Sequence, residues 1–379
     1  MEDLSRRRFV GLAATGLAGR ALHPRFAYGH KPERKSPKTP ILHATDLFRP
    51  HMDPDDHWDL ACVYALAYGG DTDLKGVLID YPPKDSEVRA PDAIAIAQMN
   101  LICGIFVTMG VGTPHPMKSR NDVQPYVSSI DHHGVQMVLD VLRRSPEPVV
   151  INILGSSRDI AIAGKKDPGL FATKCAGIYL NAGVGAQDRN LASKLEYNVQ
   201  LDKSAYAAIF DLPCPVYWMP CFEEIESRQE QVVMEYGTHY KFRQNEMLPY
   251  LSDMVQNYFG YMFGRYTDQN WLHYLKGTKD EALLTQFGSQ DRHMWCTGGF
   301  LHAAGYTVSR DGKITPIEEE SCPRVFTFEP IKIRCDDSGV TEWAHDKNSK
   351  NRFVFHVLDT KAYQPAMTEA MKSLLTRLP

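Results

Sequence analysis

The chain has 379 residues, 43% of them hydrophobic, with 42 lysines and arginines against 46 aspartates and glutamates, for a net charge of −4. That is enough apolar material for one large α/β domain with an appendage, or for two domains. The balance of charge excludes the basic stripe of a nucleic-acid binder.

The first element is Ser5-Arg6-Arg7-Arg8-Phe9-Val10, followed by a mildly apolar Gly/Ala-rich run ending near Ala21. It resembles a twin-arginine export signal, with a basic N-terminal arm as the alternative, and the run is too short to span a bilayer. Residues 22–39, rich in Pro, Lys and Arg, read as a processed leader, so residues 1–39 form a signal and leader segment. The destination this implies is periplasmic or secreted, with no stable membrane anchor after export. Eight cysteines (Cys62, Cys103, Cys175, Cys214, Cys221, Cys296, Cys322 and Cys335) show no CxxC or zinc-knuckle spacing, so buried free thiols are expected; Cys214–Cys221 and Cys322–Cys335 pairings stay open.

From residue 41 onward, short β-branched or apolar runs alternate with helical patterns, as in a parallel sheet flanked by helices. Strands are predicted near 41–45, 75–79, 105–109, 149–154, 176–181 and 215–219, and helices near 55–68, 91–103, 132–144, 158–165 and 203–210. Residues 225–265 and 278–305 read as a helical cap. Alternation from Arg324 through Ile333, the turn Asp336-Asp337-Ser338-Gly339 and the run from Arg352 to Leu358 predict an antiparallel sheet, and a last helix is expected over about 365–377. The expected architecture is a doubly wound, mostly parallel α/β domain over 40–322, with a C-terminal antiparallel β extension and final helix over 323–379.

The most unusual stretch is TDLFRPHMDPDDHWD, from Thr45 to Asp59, which carries Asp46, Asp53, Asp55, Asp56 and Asp59. Acids this close repel one another unless a cation, solvent or a helix N-terminus takes up the charge. Capping explains Asp53 and the first-turn acids after Pro54. It does not explain Asp46 at the end of a strand, where open α/β sheets bind ligands. Three further loops at strand ends hold unusual polar residues: Gly155 to Asp159, Asn181 to Asn198, and the region of His293.

In order along the chain come Asp46 with Asp53-Pro54-Asp55-Asp56, then VTMGVGTPHPM at 107–117 and ILGSSRDIAIA at 153–163. Last comes Asn190, followed by Glu196-Tyr197-Asn198 and Asp202-Lys203-Ser204-Ala205. Together these resemble the inosine–uridine-preferring nucleoside hydrolase family, with its aspartate motif DTDxxxDxDDAxAL, PVxxGxxxPL segment, LGPLTNIALA loop and GN…EFN…DPEAA run. The resemblance covers residues 40–220 well and the remainder weakly.

The resemblance implies a Ca2+-dependent hydrolase of the N-glycosidic bond of ribonucleosides or related N-ribosyl compounds. Asp46, Asp56 and the backbone carbonyl of Arg158 would ligate the metal, and Asp46 would also be the base for the attacking water. Asp55, Asn190, Glu196 and Asn198 would hold the ribose hydroxyls, and His293 would assist the leaving base. Such residue types suit an oxocarbenium-like transition state, in which positive charge develops on the sugar ring.

Where the family has a metal-binding aspartate after that histidine, this chain has Met294, a soft and weak partner for calcium. Asp53, Asp59 and Asp291 are the acids at hand to replace it. The packing alternative reads Arg292-His293-Met294-Trp295 as helix-packing residues. His132 and His133 read as loop-shaping, Trp58 and Tyr64 as core, and the aromatics from Tyr236 to Tyr266 as core in preference to a base-stacking wall. The expected partner is a small nucleoside or ribosyl substrate and not nucleic acid, with homo-oligomerisation left open. Two other functions stay in view: a nucleoside- or sugar-binding protein on the same scaffold without turnover, and a metal-dependent hydrolase of another bond.

Overall fold

The computed structural model describes residues 39–50, 54–83, 90–224, 232–264, 266 and 269–379. The twin-arginine-like segment and Asp53 lie outside the described residues. In chain order the strands are β1 (Thr39–Thr45), β2 (Phe48–Arg49), β3 (Thr72–Ile79), β4 (Ala90–Pro91), β5 (Met109–Val111), β6 (Val149–Ile153), β7 (Cys175–Asn181) and β8 (Val216–Met219). They are followed by β9 (Tyr240–Arg243), β10 (Asp291–Met294), β11 (Tyr306–Val308), β12 (Ile314–Pro316), β13 (Phe326–Cys335), β14 (Thr341–His345) and β15 (Arg352–Val357).

Nine of these form one sheet in the order β14-β13-β15-β8-β7-β6-β1-β3-β5. Pairing is parallel from β5 across to β15, and antiparallel where β13 meets β15 and β14 meets β13. The chain winds outward from β1 through β3 to β5, then returns to the other side of β1 and winds through β6, β7 and β8. This is the expected doubly wound sheet, and its direction switches between β1 and β6. At such a point the flanking connections leave on opposite faces, which opens a crevice at the strands' carboxyl ends. The C-terminal strands extend this sheet: Arg352, Phe353 and Val354 of β15 pair parallel with Val216, Tyr217 and Trp218 of β8.

The crossover helices include α1 (Asp55–Gly69), α2 (Ala93–Cys103), α3 (His133–Arg144), α4 (Arg158–Lys166), α5 (Pro168–Lys174), α6 (Arg189–Ala192), α7 (Tyr197–Leu201) and α8 (Lys203–Ile209). Among them α1 is exceptional, because every residue from Asp56 to Leu66 is buried. Trp58 stacks on Phe259 at 3.9 Å and meets Phe242 edge-on at 5.3 Å. The helix is therefore enclosed by the sheet on one side and by the cap on the other, and its polar residues are carried into the interior.

The chain departs from the sequence-based expectations in three places. Residues 105–109 do not start a strand, because Gly104 ends α2 in the left-handed conformation and the chain needs the next residues to reach the sheet edge at Met109. In the cap, Tyr240 and Phe242 point inward while Lys241 and Arg243 are more exposed, a period of two that makes β9 instead of helix. Its partner is β10, so His293 and Met294 lie on a strand and not on a helix. The last helix begins at Thr360, because the Asp359 side chain accepts from the amides of Lys361 and Ala362 and caps it early.

All eight cysteines are free, and all but Cys322 are buried. No helix among the described residues is long and apolar enough to cross a membrane. Because Trp58 joins α1 to the cap, Trp58→Ala is expected to destabilise the protein by about 3–5 kcal/mol, read as a shift in the urea unfolding midpoint.

Candidate active site

Four of the parallel strands deliver polar residues to one end of the sheet. Asp46 follows β1, Asp80 follows β3, Gly155 and Ser156 follow β6, and Asn181 ends β7. Backbone bonds from Asp80 to Thr45 (2.9 Å) and from Leu154 to Ala44 (2.9 Å) tie the three central loops together just beyond the sheet. Gly155 is needed here: a Cβ on it would strike the Asp80 carboxylate and come within 3.0 Å of the Asp46 Cβ.

Above these loops lies a cavity of about 290 Å3. It is lined by acids and amides, Asp46, Asp55, Asp56, Asp59, Asn181, Glu196 and Asn198, and by apolar side chains, Phe48, Leu154, Phe222 and Trp295. Tyr197, Cys221 and Cys296 complete it. Asp46, Asp55, Asp56, Glu196 and Asn198, singled out on sequence, therefore share one cavity.

Local structure explains how they are held. Asp55 and Asp56 occupy the first turn of α1, where the helix dipole favours negative charge, and the Thr45 hydroxyl donates to Asp56. Glu196 caps α7: its Oε1 accepts from the Asn198 amide at 2.8 Å and its Oε2 from the Gly183 amide at 2.9 Å. Asn198 donates both amide protons, to the carbonyls of Leu154 (2.6 Å) and Asn181 (3.1 Å). That fixes the amide plane and reserves its Oδ1 for the cavity. Asn181 is locked in turn by donation to Met219 (3.0 Å) and Thr238 (3.1 Å), while its Oδ1 receives the thiols of Cys221 (3.5 Å) and Cys296 (3.3 Å).

Asp59 sits one turn further along α1, on the same face as Asp55 and Asp56. It is 1% exposed, and neither carboxylate oxygen accepts a hydrogen bond of ordinary geometry. Burial pushes its carboxyl up to about 8, relieved in part by the Cys296 thiol and the Arg292 guanidinium and raised further by Asp46. Burial, with added repulsion from Asp46, likewise raises Asp56 and Asp80 well above the usual carboxylate range and Glu196 to about 7. Asp159, which receives the Thr113 amide at 3.1 Å, is lifted to about 6, again chiefly by burial.

The remaining expected site residues stand elsewhere. Asn190 is an exposed residue of α6 and does not line the cavity; Asn181 supplies an amide there instead. Arg158 is the first residue of α4, which directs its carbonyl into the helical ladder. Its guanidinium is committed to Asp202 (3.0 Å), Thr113 (2.9 Å) and Leu201 (3.1 Å). His293 is paired with His239 at 2.8 Å, both rings pack near Trp295, and neither histidine lines the cavity. Met294 is fully buried in the core.

Sequence reasoning missed Asp80 and underused Asn181. The signal for both was position, since each follows or ends a parallel strand as Asp46 does. His132 and Gln124 bond at 3.0 Å and shape the 113–132 loop, and Trp58 and Tyr64 are core residues, as expected.

No protein-family model matches this chain, and no curated protein matches it. Solved structures do. A purine-preferring ribonucleoside hydrolase from Gardnerella vaginalis superposes with a TM-score of 0.53 at 15% identity, over 89% of this chain and 99% of that one. A plant nucleoside hydrolase, PpNRh1, gives 0.52 at 13% identity, over 89% and 99%. The effector protein XOO4466 gives 0.50 at 14% identity, over 91% and 95%. At this identity the likeness is one of fold: the architecture is that of the nucleoside hydrolases.

The raised carboxyls have a consequence for stability. Each binds its proton more tightly in the folded chain than at the ordinary 3.8 or 4.5, so the native state holds more protons than the unfolded one across the interval between. Their favourable contribution is complete below about pH 4 and is lost as pH rises through about 6, 7 and 8 in turn. Thermal melts in chelator are expected to show Tm falling steadily from pH 5 to above pH 8; a flat profile would contradict the burial of these groups as unrelieved acids.

Proposed function

We propose that this chain is a calcium-dependent hydrolase of the N-glycosidic bond of ribonucleosides or related N-ribosyl compounds. The observation that carries the reading is the convergence of Asp46, Asp55, Asp56, Glu196 and Asn198, from three separate segments, on one cavity that is also lined by Phe48, Phe222 and Trp295. A nucleoside has that same polarity: a polyhydroxyl ring at one end and a flat, stackable base at the other.

The donor set fits calcium, a hard cation that takes carboxylate and carbonyl oxygens, in chemistry. Among the described residues no three His, Cys, Asp or Glu side chains already stand at metal-binding spacing, and Asp53 lies outside those residues. Asp46 and Asp56 would hold the ion, which when bound supplies a Lewis-acidic centre that eases loss of a proton from water. Asp46 would accept that proton beneath the sugar.

Glu196 and Asn198 would bind ribose hydroxyls and, with Asp55, favour the positive charge that develops on the ring as the base departs. Phe48, Phe222 and Trp295 would exclude water from the base and stack on it. The His239–His293 pair packs beside Trp295 and is the proton source proposed for the departing base. The twin-arginine-like leader supports a proposed periplasmic or secreted setting.

A second reading, a nucleoside- or sugar-binding protein without turnover, is favoured by two observations. Met294 is buried in the core with no carboxylate to offer, and His293 is held off the cavity. Reducing-sugar release from a nucleoside panel, with calcium and then with chelator, separates the two. Calcium-stimulated release of ribose is the expected result, and tight nucleoside binding without release would establish the second. Asp46→Ala is expected to fold normally and to lose at least about 10²-fold in turnover; retained activity would remove Asp46 from the chemistry.

A further inference from the structure

We infer that Asp59 is a third carboxylate of the cation site, a ligand supplied from the second turn of α1. The inference rests on the function proposed above and deepens it.

Three observations carry it. Asp59 lines the same cavity as Asp46 and Asp56, and its position three residues after Asp56 and four after Asp55 sets it on their face of the helix. It is 1% exposed. Both of its oxygens lack a hydrogen-bond donor of ordinary geometry, although the site is rich in donors that other acids use. Glu196 has the amides of Gly183 and Asn198, Asp80 has the Ser156 amide, and Asp56 has the Thr45 hydroxyl. Asp59 alone among the lining acids with such burial is left beside the Cys296 thiol, whose one proton goes to Asn181, and in the field of Arg292.

A buried acid without donors is costly to any fold. If packing were all that this position required, an alanine or leucine would serve, as its helical neighbours Leu60, Ala61 and Cys62 do. A divalent ion between Asp56 and Asp59 removes the cost, because the lone pairs that find no N–H or O–H then find a cation. Among the described residues the acids do not stand at metal-binding spacing as they are, so ligation requires the carboxylates to draw together on binding.

The test is calcium titration by calorimetry on the full chain, with thermal melts of each variant in chelator. Wild type is expected to bind calcium and Asp56→Asn to lose it. Asp59→Asn is expected to bind at least about tenfold more weakly while melting in chelator at pH 8 no lower than wild type, since the buried charge is gone. Asp59→Glu, which keeps a carboxylate, should recover part of the affinity.

If Asp59→Asn binds calcium as wild type does while Asp56→Asn does not, the inference about Asp59 fails and the proposed function stands. If wild type itself takes up no calcium, the calcium dependence fails and this inference falls with it. Should the asparagine variant show no cooperative melt, Asp59→Ser is read by the same criteria.

Discussion

Carboxylates at the carboxyl edge of the sheet repel one another and lose hydration on burial, and much of the structure around them manages that conflict. Unrelieved burial of a charge costs several kcal/mol per group even after the protein relaxes. The chain answers for most of its acids with backbone N–H groups. Asp159 takes the Thr113 amide, Glu196 the amides of Gly183 and Asn198, and Asp202 those of Met117 and Ala205. Such bonds come from loops and helix N-termini, so each also fixes the segment that supplies it. Charge relief and loop geometry are here one interaction, and at the cavity Glu196 shows it, fixing Gly183 and the start of α7 through the same two bonds.

That geometry depends on where the sheet changes direction. Between β1 and β6 the connections leave on opposite faces, and Gly155 lies so close to Asp46 and Asp80 that a Cβ on it would strike the Asp80 carboxylate and crowd Asp46. A side chain at Gly155 would push the Asp46 and Asp80 carboxylates apart, so the glycine sets how near two like charges come. The apolar lining is organised differently. Trp295 follows β10, which is held by its ladder to β9, whereas Phe48 lies on β2 just after β1 and Phe222 follows β8, so the apolar lining is drawn from the sheet's edge and from the cap together.

The fold was largely legible in the sequence, because a parallel sheet buried on both faces writes its strands as near-continuous aliphatic runs, such as Val149 to Ile153 and Ile178 to Leu180. The acid cluster was legible for the opposite reason: Asp46, Asp55, Asp56 and Asp59 interrupt a chain that is otherwise strongly apolar there. The cap was less so. Interleaved aromatics between Tyr236 and Tyr266 fit a helix and a strand equally well over short windows, and the choice of β9 is made by β10, some fifty residues later, which no local pattern announces. Asn190 misled because its spacing to Glu196 is a property of the chain, whereas its side-chain direction depends on α6, a single turn capped by Asp188 that faces solvent. Asp80 went unnoticed because it stands alone, with no second acid beside it to draw the eye.

The asymmetry of the cavity bears on what it would hold. A free sugar would satisfy the amide and carboxylate wall but leave Phe48, Phe222 and Trp295 against water, and a free base would do the reverse. A ligand that joins a polyhydroxyl ring to a flat apolar group would use both kinds of lining at once, and burying the flat group against the aromatic side chains would exclude water from the bond between its two halves. Water exclusion there strengthens the attraction between the carboxylates and a developing positive ring, because the effective dielectric falls as solvent leaves. An apolar lining of this kind would therefore strengthen the electrostatics of the acids beside it, so that the two kinds of lining would act as a unit.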